Sequence, residues 1–293
     1  MRIWLMAARP RTLPAAVAPV LVGTAAAVQW VGELPRWGAF VAALIGSIFI
    51  QIGTNLANDY SDARRGADTA DRLGPVRVTS AGLVTPQRVL TATWIAFAVA
   101  VACGIYLAAV AGIVIILIGI LSIAAGVLYT GGPRPYGYAG LGEVFVFLFF
   151  GLVAVNGSYY VQLEQLDVLP LGLSISIGFL ATAILVVNNV RDIETDRRAG
   201  KLTLAVRMGR ANAVNLYGVL MIGAFVVLPI ALLAGEASAL PLIGLLALPL
   251  AIKPVRVVAT HTDGPALNGA LAATGAALGA FSLLVTIGLL ISA

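Results

Sequence analysis

The sequence predicts an all-α membrane bundle of nine transmembrane helices, and three observations carry that prediction. Of 293 residues, 60% are hydrophobic and only 11% are charged, against about 25% charged in an ordinary soluble domain. The apolar residues fall into nine runs near the ~20-residue length that crosses a bilayer. The basic residues gather almost entirely in alternate connections, as the positive-inside bias requires of a polytopic chain.

The first span covers about 12–30 and follows Arg9, Pro10 and Arg11. No small-residue cleavage pattern precedes it, so it is expected to stay in the mature protein. The second, 37–57, runs into the polar stretch NLANDYSD, Asn55 to Asp62. Spans three and four, 89–109 and 112–130, are nearly fused and divide only at Val110 to Gly112. The fifth, 141–161, is rich in aromatic residues, and the sixth, 170–190, leads into NNVRDIETDRRAGKLTLAVRMGR. Spans at 211–234, 240–258 and 267–291 complete a single domain over 1–293.

Nine spans place the termini on opposite faces. Seventeen of the 18 Lys and Arg residues then fall on one face, with Arg36 on the other. That face is expected to be cytoplasmic, with the N-terminus on it and the C-terminus external. The net charge of +5 is thereby explained without nucleic-acid binding. Cys103 is the only cysteine and lies inside a span, which leaves no disulfide or thiolate metal site. His261 is the only histidine, in a short loop beside Asp263, which argues against histidine-based metal centres and a Ser-His-Asp triad.

The expected cytoplasmic loops, about 59–88, 130–140 and 192–210, hold nearly all the remaining polar chemistry. NDYSDARRGAD and RDIETDRRAGK both pass from acids into an Arg-Arg pair and then toward glycine, which suggests an internal duplication relating spans 2 and 3 to spans 6 and 7. Residues three and four apart share a helical face. Asn55, Asp59 and Asp62 therefore line up with Asn58 at the margin, and Asn188, Asp192 and Asp196 form a second stripe. A carboxylate inside a membrane costs about 2.5–3.5 kcal/mol even on lenient insertion scales, so two such stripes need positive charge between them. Mg2+ takes oxygen ligands and commonly bridges carboxylates to substrate phosphates. The expected ligand is an organic diphosphate with a lipid tail, whose departure a metal and basic side chains would assist. An allylic cation left behind needs a dry, partly aromatic lining, and Tyr129, Tyr136, Tyr138, Phe145, Phe147, Phe149, Phe150, Tyr159 and Tyr160 cluster around span five.

These residues resemble the UbiA superfamily of intramembrane aromatic prenyltransferases, which have nine helices and two aspartate-rich motifs after helices 2 and 6. The segments ARPRTLPAAVAPVLVG, NDYSDARRGADTADRLGPVRVTSAGLVTP, YTGGPRPYGYAGLGEVFVFLFFG and NNVRDIETDRRAGKLTLAVRMG are similar to the branch that prenylates 1,4-dihydroxy-2-naphthoate. The resemblance implies that Asp59, Asp62, Asp192 and Asp196 ligate Mg2+ with Asn55 and Asn58 in support. It implies Arg65, Arg72, Arg77 and Lys201 as contacts to a polyprenyl diphosphate. A third acid usual in the first motif is replaced by Gly66, and whether Asp68 takes its place is open. The implied reaction joins the polyprenyl chain to a ring carbon of dihydroxynaphthoate with loss of carbon dioxide, a step in menaquinone synthesis. Glu143, Tyr129 and Tyr136 are the candidates for binding the acceptor. The alternatives are an acceptor such as 4-hydroxybenzoate or, from another class, a transporter, whose polar sites would sit at mid-membrane rather than at span ends. The expected location is the cell membrane, multi-pass, with the site facing the cytoplasm.

Overall fold

The computed structural model describes residues 2–66, 73–74 and 76–293, and these hold helices and no strand. A short α1 (Arg2–Ala8) leads into α2 (Pro14–Val31), α3 (Trp37–Arg65), α4 (Pro86–Ala111) and α5 (Val114–Leu128). Then come α6 (Gly142–Leu163), α7 (Val168–Arg191), the short α8 (Ile193–Arg198), α9 (Leu204–Ala234), α10 (Leu240–Thr260) and α11 (Gly264–Ile291). Eight of the described helices are long and apolar enough to cross a membrane, which makes this a multi-pass membrane protein. The fourth expected span is the exception. Helix α5 has 15 residues, about 22 Å at 1.5 Å per residue, against a hydrocarbon core of ~30 Å.

Most expected boundaries hold to within a few residues, and the departures matter for the site. Gly112 ends α4 at φ 89° and separates it from α5, as the sequence indicates. Helix α3 does not stop at residue 57 but continues to Arg65, because nothing between breaks a helix until Gly66 at φ 66°. Its 29 residues span about 44 Å, so the acidic motif is entirely helical and projects beyond the apolar run. Helix α7 breaks at Asp192 (φ −97°, ψ 7°) and restarts as α8, yet the Asp196 N–H still donates to the Asp192 carbonyl at 2.8 Å. A helical turn opens α9 at Leu204, where the Thr203 hydroxyl accepts the Val206 N–H, but Gly209 (φ 79°, ψ 161°) breaks the helical path, so the unbroken run starts after it, as expected near residue 211.

The core is built on α2, whose alanines let other helices approach closely. A Cβ on Gly23 would lie 2.2 Å from the Val155 carbonyl oxygen of α6, so only glycine permits that crossing. The same core includes Val22, Val155, Tyr159, Leu173, Leu180, Leu228 and Leu278. Helices α3 with α4, and α7 with α9, form the most extensive pairs. All four tryptophans, Trp4, Trp30, Trp37 and Trp94, are exposed, as expected of rings seated at membrane interfaces.

Candidate active site

Two polar helix ends face each other across a cavity of about 260 Å³. From α3 it receives Gln51, Asn55 and Asn58, and from α7 Asn188, with Asp192 at the break beyond. Arg9, Arg77 and Lys201 add positive charge to the lining. The rest of the lining is aromatic and apolar, with Tyr129, Tyr136, Phe145, Phe149 and Phe150 among it. Tyr136 stacks on Phe145 at 4.0 Å between centroids and meets Tyr129 edge-on at 5.5 Å. A π-helical stretch, Phe147–Val153, lies in α6 at this level, an irregularity found mostly at functional sites.

Each acidic residue arrives with a partner. Asp62, 2% exposed, accepts from the Arg77 guanidinium at 2.9 Å and from the Tyr138 hydroxyl at 3.0 Å. Asp192 accepts a two-pronged contact from Arg191, at 2.7 and 2.6 Å. The same guanidinium donates to Asn188 at 2.8 Å and Asn268 at 2.7 Å. Lys201 stands 3.9 Å from Asp196 and over the Tyr138 ring. Asp59 has both oxygens occupied by backbone amides, from Val78 at 3.0 Å and Thr79 at 3.1 Å. Asn55 donates to the Ala8 carbonyl at 3.1 Å and to Thr12 at 3.3 Å, drawing the N-terminal segment under the cavity. Asn58 accepts from the Thr130 hydroxyl at 2.8 Å.

The structure therefore sorts the expected site residues. Asn55, Asn58, Asp192, Arg77, Lys201, Tyr129 and Tyr136 line the cavity, and Asp62 stands behind Arg77. Arg65 does not face it: its guanidinium donates to the carbonyls of Thr130 and Gly132 and lies over Tyr138, fastening the end of α3 to the next loop. Glu143 is off the wall too, buried and accepting from Asn189 at 2.9 Å. Among the aromatic residues, Phe147 packs on Phe179, Tyr138 serves the charged cluster, and Tyr159 is a core residue; Tyr160 packs on a second apolar cluster. Arg72 and Asp68 lie outside the described residues. Arg9, Gln51, Thr12 and Arg191 were missed. Arg191 could have been found, since it sits one turn after Asn188 and beside Asp192.

Amide side chains of Gln51, Asn55, Asn58 and Asn188 and the carboxylate of Asp192 line the cavity, which fits a hard cation that needs only one or two protein carboxylates beside phosphate and water. Among the described residues no three acidic side chains lie close enough together to hold one ion; arginine or backbone amides engage Asp59, Asp62 and Asp192. Outside the spans, burial pushes the Tyr136 phenol above its ordinary range, so it stays a donor, here to the Ala125 carbonyl at 2.9 Å.

A second, largely apolar cavity of about 220 Å³ adjoins the first, sharing Ser47, Ile50, Ser122, Phe149 and Ala154. Helices α3, α4, α5 and α6 wall it. Gly104, Gly119 and Gly157 border it at points where a Cβ would meet nothing within 4 Å.

A model of the UbiA prenyltransferase family matches residues 16–267. The chain is 43% identical over 282 residues to the 1,4-dihydroxy-2-naphthoate octaprenyltransferase of Mycobacterium leprae, covering 96% of this chain and 94% of that one. It is 40% identical over 295 residues to the protein so named in Escherichia coli, covering 99% and 95%. Among solved structures, the UbiA homologue of Aeropyrum pernix superposes with a TM-score of 0.71 at 13% identity, covering 99% of this chain and 98% of that one. The Archaeoglobus fulgidus homologue bound to GPP and Mg2+ gives 0.67 at 16% identity, covering 97% and 99%. At such identities the structural likeness speaks for the fold.

Proposed function

The chain belongs to the UbiA prenyltransferase family, and on that premise we propose that it transfers a polyprenyl chain from its diphosphate to 1,4-dihydroxy-2-naphthoate. The observation that carries the acceptor is the 40–43% identity to dihydroxynaphthoate octaprenyltransferases across nearly the whole chain. The cavity, lined by both charged or amide side chains and aromatic rings, supports the same reading. The allylic C–O bond breaks and its electron pair leaves with diphosphate. The ring carbon bearing the carboxylate attacks the cation, and loss of carbon dioxide returns the bonding pair to the ring. The product is demethylmenaquinone in its quinol form, within menaquinone synthesis.

In this reading Arg77 and Lys201 bind the diphosphate, and Asp62, Asp192 and Asp196, with Asn55 and Asn58, supply oxygens for Mg2+. When bound, the cation stabilises charge on the departing oxygens. Tyr129, Tyr136, Phe145 and Phe149 face the carbocation with ring surfaces and keep water away, and the apolar second cavity receives the tail. One domain serves the whole reaction, in the cell membrane. The bias of basic residues supports a cytoplasmic N-terminus and site.

The test offers membranes containing the protein one labelled polyprenyl diphosphate and a panel of acceptors, with Mg2+ or with EDTA. Dihydroxynaphthoate alone should become prenylated, with one carbon dioxide released per product and no turnover in EDTA. Prenylation of 4-hydroxybenzoate instead would overturn the acceptor assignment, and full activity in EDTA would overturn the metal. Solute flux into vesicles without prenylation would favour transport.

A further inference from the structure

We infer that Asp59 is a positioning residue: its carboxylate holds the backbone turn that carries Arg77 into the cavity. Three observations lead there. Asp59 is 2% exposed and absent from the cavity wall, although Asn58 beside it and Asn55 one turn back are both on it. Its two oxygens accept the successive amides of Val78 and Thr79, the arrangement by which a carboxylate caps exposed N–H groups. The turn they open is compact: Ala81 donates to the Arg77 carbonyl, Gly82 to that of Thr79, and Leu83 and Val84 to that of Val78.

Apolar packing fastens the same turn from its other side. Val78, fully buried, and Val84 join Ala7, Leu56 and Val89 in a small cluster. Leu56 lies three residues before Asp59, so one stretch of α3 grips the turn by a hydrophobic contact and a carboxylate together. The residue immediately before these amides is Arg77, 7% exposed, which lines the cavity and meets Asp62 at 2.9 Å. A chain fixed at 78 and 79 leaves the position of residue 77 little freedom. Asp59 thereby acts on the diphosphate through Arg77, while Asp192 lines the cavity and Asp62 meets the Arg77 guanidinium.

This inference rests on the proposed prenyl transfer for its kinetic readout but not for its structural one. Asp59→Asn keeps one acceptor oxygen and turns an NH2 group toward the other amide, so one hydrogen bond to a charged acceptor is lost. The expected result is a KM for polyprenyl diphosphate raised about tenfold to a hundredfold, with the Mg2+ concentration for half-maximal rate unchanged. Arg77→Ala should raise the same KM, and the double variant should be no worse than Arg77→Ala alone, the signature of residues acting as one unit. Val78→Ala, which loosens the turn and leaves the carboxylate intact, should shift KM in the same direction. Hydrogen exchange should show the amides of 78 and 79 losing protection in Asp59→Asn while α7 and α9 keep theirs. A raised Mg2+ requirement in Asp59→Asn, as for Asp62→Ala or Asp192→Ala, with protected amides would overturn the inference. If the unaltered protein prenylates nothing, the functional reading fails, and hydrogen exchange still decides the anchor.

Discussion

Removing the Arg191 guanidinium should be among the most damaging single changes near the site. The side chain has no exposed surface, and its partner Asp192 is 8% exposed. It makes four hydrogen bonds of 2.6–2.8 Å, two to Asp192 and one each to Asn188 and Asn268. Arg191→Ala leaves a buried carboxylate without its cation, and breaking such a pair costs about 3–5 kcal/mol. Arg191→Lys restores a point charge but not the planar fork, so it should lose about 1.5–3 kcal/mol, one hydrogen bond to a charged group. The assay is reversible unfolding in mixed detergent micelles, with and without Mg2+. If the cation can take the place of the guanidinium at Asp192, Mg2+ at a hundred times its Kd should return about 2.7 kcal/mol to the alanine variant. Stability within about 0.5 kcal/mol of the unaltered protein, the range of an ordinary surface change, would refute the reasoning. Destabilisation that Mg2+ leaves untouched would refute its second half.

Two glycine substitutions should separate packing from substrate space. Gly23→Leu drives a Cβ to within 2.2 Å of the Val155 carbonyl and should cost about 1–3 kcal/mol by forcing α2 and α6 apart, measured by the same unfolding assay. Gly119→Leu meets nothing at its Cβ and enters the second cavity, so stability should hold while product analysis shows a shift toward shorter prenyl diphosphates; unchanged length preference would detach that cavity from the tail. For Tyr136, burial raises the phenol in the folded state. The stability this contributes is therefore fully present below the unfolded value of about 10, and is lost progressively as pH rises from there to the higher folded value. Activity should show no loss from this residue up to about pH 10, and Tyr136→Phe should cost about 0.5–1.5 kcal/mol for its hydrogen bond to Ala125.

Much of the site was legible because helical spacing is a local property. Asn55 and Asn58, and Asn188 with Asp192, are brought to one cavity as their intervals require. What spacing could not show was which partner each side chain finds. Asp59 and Asp62 share a face of α3, yet one meets backbone amides of a turn 19 and 20 residues on, and the other meets Arg77 and Tyr138. Arg65 reads as a ligand contact but reaches two carbonyls instead. Arg191 reads as one more basic residue at a span end, and the fold makes it the hub of four hydrogen bonds.

The sequence by itself determined the membrane class, most of the helix boundaries and the two polar helix ends that reach the cavity. Hydropathy, charge bias and three-to-four spacing are each written along a single stretch of chain. Tertiary structure decided how far those helices extend, which carboxylates face the cavity and which cation or amide neutralises each. Those outcomes depend on groups distant in sequence meeting inside a medium with almost no water, where a buried charge must take the nearest partner the packing provides.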